Sequence, residues 1–197
     1  MADSLAEMQQ EPRFWQRLLL FGGYDLGKVD GVLGVKSNAA AARWMQDAEA
    51  IKRELGTFDE RSERNMATLL PKTQRAARLW LALAKPVAEA AGYDVKIICG
   101  TRTYKEQNAL FAKRPRVTKA AAGQSFHNFG LAWDFGVFSK DGKKYYGDHA
   151  LYLTLGKLAS KVPGVTWGGS WTSFVDMPHI QLSDYASSTA ARHAFEK

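Results

Sequence analysis

The sequence holds one cysteine, Cys99. A single thiol excludes an internal disulfide framework and any cysteine-rich metal site. Its place at the end of the run Val95-Lys96-Ile97-Ile98-Cys99 is that of a buried, inert thiol rather than a nucleophile. Long hydrophobic runs are also missing. The stretch Leu18-Leu19-Leu20-Phe21 is far too short to cross a bilayer, so no membrane insertion is expected. Met1-Ala2-Asp3-Ser4-Leu5-Ala6-Glu7 lacks the basic and apolar regions of a secretory leader. The expectation is a monomer made in the cytoplasm without a signal peptide, which depends on another agent for release if its substrate lies outside. Histidine is scarce as well, with four in 197 residues.

What is present is globular. Hydrophobic residues make up 46% of the chain and aromatic ones 12%, enough to build a core. The net charge of +7 is unevenly spread. Residues 1–70 carry 9 basic against 11 acidic side chains, and residues 71–197 carry 18 against 9. That shift predicts two units, 1–70 and 71–197, with different jobs. A basic C-terminal unit is drawn to polyanions such as nucleic acid, anionic lipid or an acidic cell wall. A nucleic-acid partner would rest on charge alone and is not expected.

The first unit contains an inexact repeat. Gly31-Val32-Leu33-Gly34-Val35-Lys36-Ser37 matches Gly56-Thr57-Phe58-Asp59-Glu60-Arg61-Ser62 at an offset of 25 residues. Each copy reads as a glycine turn, an apolar anchor and a serine helix cap. Helices are expected over 12–21, 38–55 and 63–70, giving a small three-helix module. Phe14-Trp15-Gln16-Arg17-Leu18-Leu19, Gly23-Tyr24-Asp25, Val29-Asp30-Gly31-Val32-Leu33-Gly34 and Ala42-Arg43-Trp44-Met45-Gln46 together resemble the common peptidoglycan-binding domain. The resemblance implies bacterial peptidoglycan as a partner, and the alternative is a helical spacer.

Beyond Pro71 the pattern turns to mixed helix and strand. A helix is expected over 73–91, bent at Pro86, then a buried strand Val95–Cys99. Thr103-Tyr104-Lys105-Glu106 fits a capping box opening a helix to Ala112. A basic loop 113–124 with Lys113-Arg114-Pro115-Arg116 follows, then a strand Leu131–Phe138 and a hairpin at Asp141-Gly142. Asp148 should cap a helix to Lys161, and strands should form at Val165–Trp167 and His179–Leu182. The class is α+β with an antiparallel sheet. The tail from Ser183 carries little signal, and His149 and His193 read as exposed bystanders.

Two segments carry chemistry. In Ser125-Phe126-His127-Asn128-Phe129-Gly130-Leu131-Ala132-Trp133-Asp134, the aspartate lies inside an apolar strand, where a carboxylate is costly unless paired or bound to metal. In Asp176-Met177-Pro178-His179-Ile180-Gln181-Leu182, His179 opens a strand and Asp176 sits in the turn before it. His127, Asp134 and His179 make a three-ligand set suited to catalytic zinc with one position open for water. Asp176 is near enough in sequence to His179 to serve as general base. Spacing alone leaves the commoner reading open, in which these are hydrogen-bonded structural residues.

The pattern Ser125-x-His127-x-x-Gly130-x-Ala132-x-Asp134, followed by Asp176-x-x-His179, resembles the zinc D-alanyl-D-alanine peptidases of the vancomycin-resistance type. Their relatives include phage L-alanyl-D-glutamate endolysins and the hedgehog domain. The resemblance implies a hedgehog-like or DD-peptidase-like fold with flanking helices, Zn2+ on His127, Asp134 and His179, and Asp176 as base. It also implies that Arg102, in Gly100-Thr101-Arg102-Thr103, stabilises the scissile carbonyl or a substrate carboxylate. Gln107, Ser125 and Trp171 are candidates for substrate contact. The function implied is that of a phage-type endolysin released through a holin and cutting stem peptides as an L-alanyl-D-glutamate endopeptidase. A D-alanyl-D-alanine carboxypeptidase is second, and a wall-binding protein with a structural zinc is third.

Overall fold

The computed structural model describes residues 5–115 and 117–197. Residues 1–4 of the leader reading and Arg116 of the basic loop lie outside the described residues. The N-terminal third is helical: α1 (Leu5–Gln9), α2 (Pro12–Phe21), α3 (Val35–Leu55) and α4 (Glu60–Ala67). Pro12 opens α2 where a missing N–H costs nothing. Gln16 organises the following turn. Its Nε2 donates to Asp30 Oδ1 (2.9 Å) and Val32 O (3.1 Å), and its Oε1 accepts from Gly31 N (2.8 Å).

The serine caps expected in the repeat are not used as caps. Gly34 precedes α3, so Ser37 lies inside that helix, where Gln16 Nε2 approaches its Oγ. At α4 the cap is Asp59, whose carboxylate accepts from Ser62 N (3.0 Å). Ser62 Oγ is thereby left to accept from Ile97 N at 2.9 Å. Tertiary demand overrides the local capping signal.

Helix α5 (Pro71–Ala90) runs on through Pro86. It lies against a five-stranded antiparallel sheet of β1 (Tyr93–Cys99), β2 (Ala132–Ser139), β3 (Tyr145–Tyr146), β4 (Val165–Trp167) and β5 (His179–Leu182). The order is β1-β2-β5-β4, with β3 beside the far end of β2. Two registers matter for function. Asp134 faces His179 across the β2–β5 ladder, and Cys99 faces Asp134 across β1–β2 after an irregularity between Ile97 and Cys99. The expected capping box is present at the head of α6 (Tyr104–Ala112). Helix α7 (Leu151–Lys157) follows Ala150 rather than an Asp148 cap, with His149 Nδ1 accepting from Leu151 N. His149 is no bystander, because its ring packs 4.3 Å from that of Tyr93.

The tail, which carried little signal, forms α8 (Ser188–Phe195) behind a Ser187 cap. Its buried Phe195 touches Phe14 and Phe21 of α2, and Phe129 at 5.3 Å. One hydrophobic core runs from Met8 to Phe195 and includes Trp15 and Trp44 as well as Trp80 and Trp133. The class is α+β, with eight helices and an antiparallel sheet among the described residues.

Candidate metal centre and cleft

Three elements converge on one spot. A 3-10 turn, Phe126–Phe129, carries His127; β2 carries Asp134; β5 begins with His179. His127 Nε2 lies 3.1 Å from Asp134 Oδ1 and 3.2 Å from His179 Nδ1. His179 Nδ1 lies 3.2 Å from the same Oδ1. These three atoms form a nearly equilateral triangle.

Their outer contacts decide what the triangle is. His127 Nδ1 lies 2.7 Å from Gly100 O, an acceptor, so the ring proton sits on Nδ1 and leaves Nε2 bare. His179 Nε2 lies 3.0 Å from Gln181 Oε1, which places the second proton there and leaves Nδ1 bare. Burial, together with the Arg102 charge, pulls the His127 imidazole down to about 4, so it is neutral near pH 7. Burial works against the charge of Asp134, but the flanking His127, His179 and Arg102 prevail and hold its carboxyl well below the ordinary range. Three lone-pair-bearing atoms thus face one another with no proton between the two rings. Ligands at bond lengths of about 2.0 Å around a tetrahedral ion stand about 3.3 Å apart, close to these edges. A small dication fits this donor set.

The same contacts raise His179 above its ordinary value. Burial opposes protonation there, but the Asp134 hydrogen bond and charge prevail. A proton on His179 is the competitor a metal must displace.

A second grouping, Cys99 with His127 and Asp134, also brings its ligand atoms within 4.8 Å of one another. It is the poorer donor set. Cys99 Sγ lies 3.9 Å from His127 Nδ1, the atom already bonded to Gly100 O, and it accepts from Arg102 Nε at 3.1 Å. Burial pushes the thiol up to about 11, so the thiolate that a metal requires is suppressed.

Arg102 is fixed on three sides. Besides Cys99, it donates to Gln107 Oε1 (3.1 Å) and to Asp134 Oδ2 (2.7 Å). Gln107 is fully buried, and its Nε2 donates to Ala120 O (2.8 Å), so its amide ties Arg102 to the basic loop. Asp176 is half-buried in the turn before β5 and lines the same cleft as the triangle. Gly168 makes that placement possible: a Cβ there would stand 2.6 Å from Asp176 O and 3.2 Å from His179 Cβ. The Asp176 carboxyl is raised above its ordinary value by burial, then by the Asp134 charge. Trp171 sets its ring 5.2 Å from that of His179.

The cleft measures about 910 Å³. Ser125 and Trp171 line it, as do the cations Arg61, Arg102 and Lys119. Lys119 lies over the Phe174 ring at 4.8 Å, joining the basic loop to the loop that carries Asp176. Sequence reasoning missed Cys99 and the Gly100 carbonyl as partners of the centre. Neither advertises itself, since one is an apolar strand residue and the other a main-chain atom.

Residues 118–182 match a family model described as D-alanyl-D-alanine carboxypeptidase. That span holds His127, Asp134, Asp176 and His179. The chain is 38% identical over 111 residues to the peptidoglycan L-alanyl-D-glutamate endopeptidase CwlK of Bacillus subtilis (strain 168), covering 50% of this chain and 66% of the relative. It is 30% identical over 137 residues to the L-alanyl-D-glutamate peptidase of Listeria phage A118, covering 64% of this chain and 42% of the relative. The chain thus spans about two thirds of one relative and under half of the other.

Proposed function

Because its C-terminal part belongs to the zinc D-alanyl-D-alanine and L-alanyl-D-glutamate peptidase family, we propose that this chain is a peptidoglycan hydrolase that cuts the L-alanyl-D-glutamate bond of the stem peptide. The single observation that carries the reading is the triangle of bare ligand atoms on His127, Asp134 and His179, with the Asp176 carboxylate in the same cleft. The N-terminal helices make the wall contact in this reading. It is supported by the Gln16-ordered turn, which leaves Val32 and Val35 exposed. In this proposal the chain is a three-helix wall module followed by a hedgehog-like domain.

His127, Asp134 and His179 would hold the zinc. When bound, the ion lowers the pKa of a water to about 7 and polarises the carbonyl to be attacked. The chain's own residues do the rest. Asp176 takes the proton of the attacking water and hands it to the departing amine; its raised carboxyl suits both tasks. Arg102, with N–H groups left beyond its three partners, stabilises negative charge on the substrate. Lys119 and Arg61 give the cleft a positive lining suited to a carboxylate-bearing peptide.

The test is hydrolysis of a synthetic L-alanyl-D-glutamyl stem peptide, with zinc content measured alongside. Cleavage should stop on chelation and return with Zn2+. Asp176→Ala should lower kcat by about 10³-fold with zinc content unchanged. Cleavage that survives chelation, or an Asp176→Ala variant at full activity, contradicts the assignment. Release of a terminal D-alanine with the internal bond intact would favour the carboxypeptidase reading. Zinc binding with no hydrolysis of either bond would favour a structural site.

A further inference from the structure

Among the described residues strand β1 is an edge of the sheet, with its inner side on β2 and no strand on its outer side. Unpaired edges need their backbone groups served by something else. Here the partner is α4, through side chains. Ile97 N donates to Ser62 Oγ (2.9 Å), and Ile97 O accepts from Asn65 Nδ2 (3.0 Å). Past the end of β1 the contact tightens. Thr101 N donates to Thr68 Oγ1 (2.9 Å), Thr101 Oγ1 donates to Thr68 O (2.5 Å), and Thr68 Oγ1 in turn donates to Asn65 O (2.7 Å). All of these side chains are buried, with Thr68 1% and Ser62 0% exposed. Gly100 presses so closely on the end of α4 that a Cβ there would collide with Asn65 O and Thr68 Oγ1.

The segment gripped in this way feeds the metal centre at two points. Gly100 O holds the proton on His127 Nδ1 and so aims Nε2 at the triangle. Arg102, next after Thr101, donates its N–H to His127 O (3.0 Å) and its guanidinium to Asp134 Oδ2. Thr68 therefore grips Thr101, the residue between the carbonyl that sets a ligand's tautomer and the arginine that holds Asp134, although it lies outside the family-matched span 118–182.

We propose that Thr68, seconded by Ser62 and Asn65, is a positioning residue of the centre: α4 is a template that sets Gly100–Arg102, and through them the aim of His127 and Arg102. This rests on the functional reading above. A partner that orients a ligating imidazole is worth about 10- to 100-fold in metal affinity. Thr68→Val keeps the shape but removes the hydroxyl, leaving Thr101 N–H buried without an acceptor.

The test uses the full chain and two readouts. Zn2+ affinity is measured by competition with a chromogenic chelator, and kcat and KM are measured separately on the stem peptide. Thr68→Val should lose about tenfold or more in Zn2+ affinity, with kcat falling and KM nearly unchanged, and Thr68→Ser should restore both. A destabilised control far from the centre, Asp47→Asn, which weakens the Tyr24 contact, should lower Tm without moving either readout. If Thr68→Val lowers Tm yet binds Zn2+ and turns over as the parent does, the positioning role is overturned. Should Thr68→Val fail to fold, Thr101→Val, which drops only the bond to Thr68 O, carries the same prediction at smaller size; unchanged zinc affinity and kcat there also overturn it. A parent protein that binds no Zn2+ would sink the functional reading itself, a result distinct from parent and variant binding alike.

Discussion

The two carboxylate oxygens of Asp134 have different partners. Oδ2 accepts from Arg102, while Oδ1 faces both imidazoles. A carboxylate buried in an apolar strand would otherwise be expensive, and the Arg102 guanidinium with the two flanking imidazoles keeps it ionised. That much was readable from sequence, because a charged residue among Ala132, Trp133 and Phe135 demands an explanation. The partners were not readable. Cys99 accepts from Arg102 just past a register irregularity between Ile97 and Cys99, a detail of backbone geometry. Gln107, expected to touch substrate, spends its amide on Arg102 and Ala120. The cysteine offers a pH test. A reactive thiol must ionise, and burial raises Cys99 to about 11, so well below that pH the group is almost wholly protonated. At pH 8 its thiolate fraction is roughly two orders of magnitude below that of an ordinary thiol. Alkylation by iodoacetamide should therefore be negligible in the native protein at pH 8 and rapid once it is unfolded. Fast native labelling would mean that the thiol is neither buried nor raised.

Among the elements, helices with strong periodicity and clear boundaries were legible: Pro12 and Phe21 bound α2, and the capping box heads α6 as expected. Capping was harder where two cap formers compete. In Asp59-Glu60-Arg61-Ser62 either end residue suits the role, and the choice falls to Asp59 because Ser62 is needed by Ile97. Sequence cannot show that demand, since it comes from a strand 35 residues away. Two elements that bear directly on the centre are short irregular turns. In one, Gly168 lets the chain pass against Asp176 and His179, and Asp176 N bonds back to Gly168 O (3.1 Å). Gly168→Ala puts a methyl group 2.6 Å from a main-chain oxygen, which cannot yield as a flexible side chain would. The turn must shift and carry Asp176 with it. A displacement of about 1 Å costs about 10²-fold in rate, so kcat should fall by that order while most of the Zn2+ is retained. Unchanged kcat would show that the base is not held by this turn.

At the scale of the molecule, the charge step at residue 70 accompanies a structure whose core is continuous. Met8, Trp44, Trp80 and Phe195 belong to one buried cluster, and Leu70 N donates to Gly130 O (3.1 Å) beside the His127 turn. The tail closes this arrangement. Ser187 caps α8, and Phe195 wedges between α2 and the turn that carries His127. A serine- and alanine-rich stretch gives little periodicity, and its inward face is marked by the small Ala191 and the one large anchor Phe195. The positive lining, the metal-ready triangle and the nearby carboxylate share one cleft, and in the proposed function its output is a specific new peptide end. The most direct measurement is mass spectrometry of purified peptidoglycan after incubation with the zinc-loaded protein, with new amino termini labelled. The account predicts that D-glutamate appears as the new amino terminus, in proportion to enzyme and blocked by chelator; an unchanged wall, or new termini at any other residue, would contradict it.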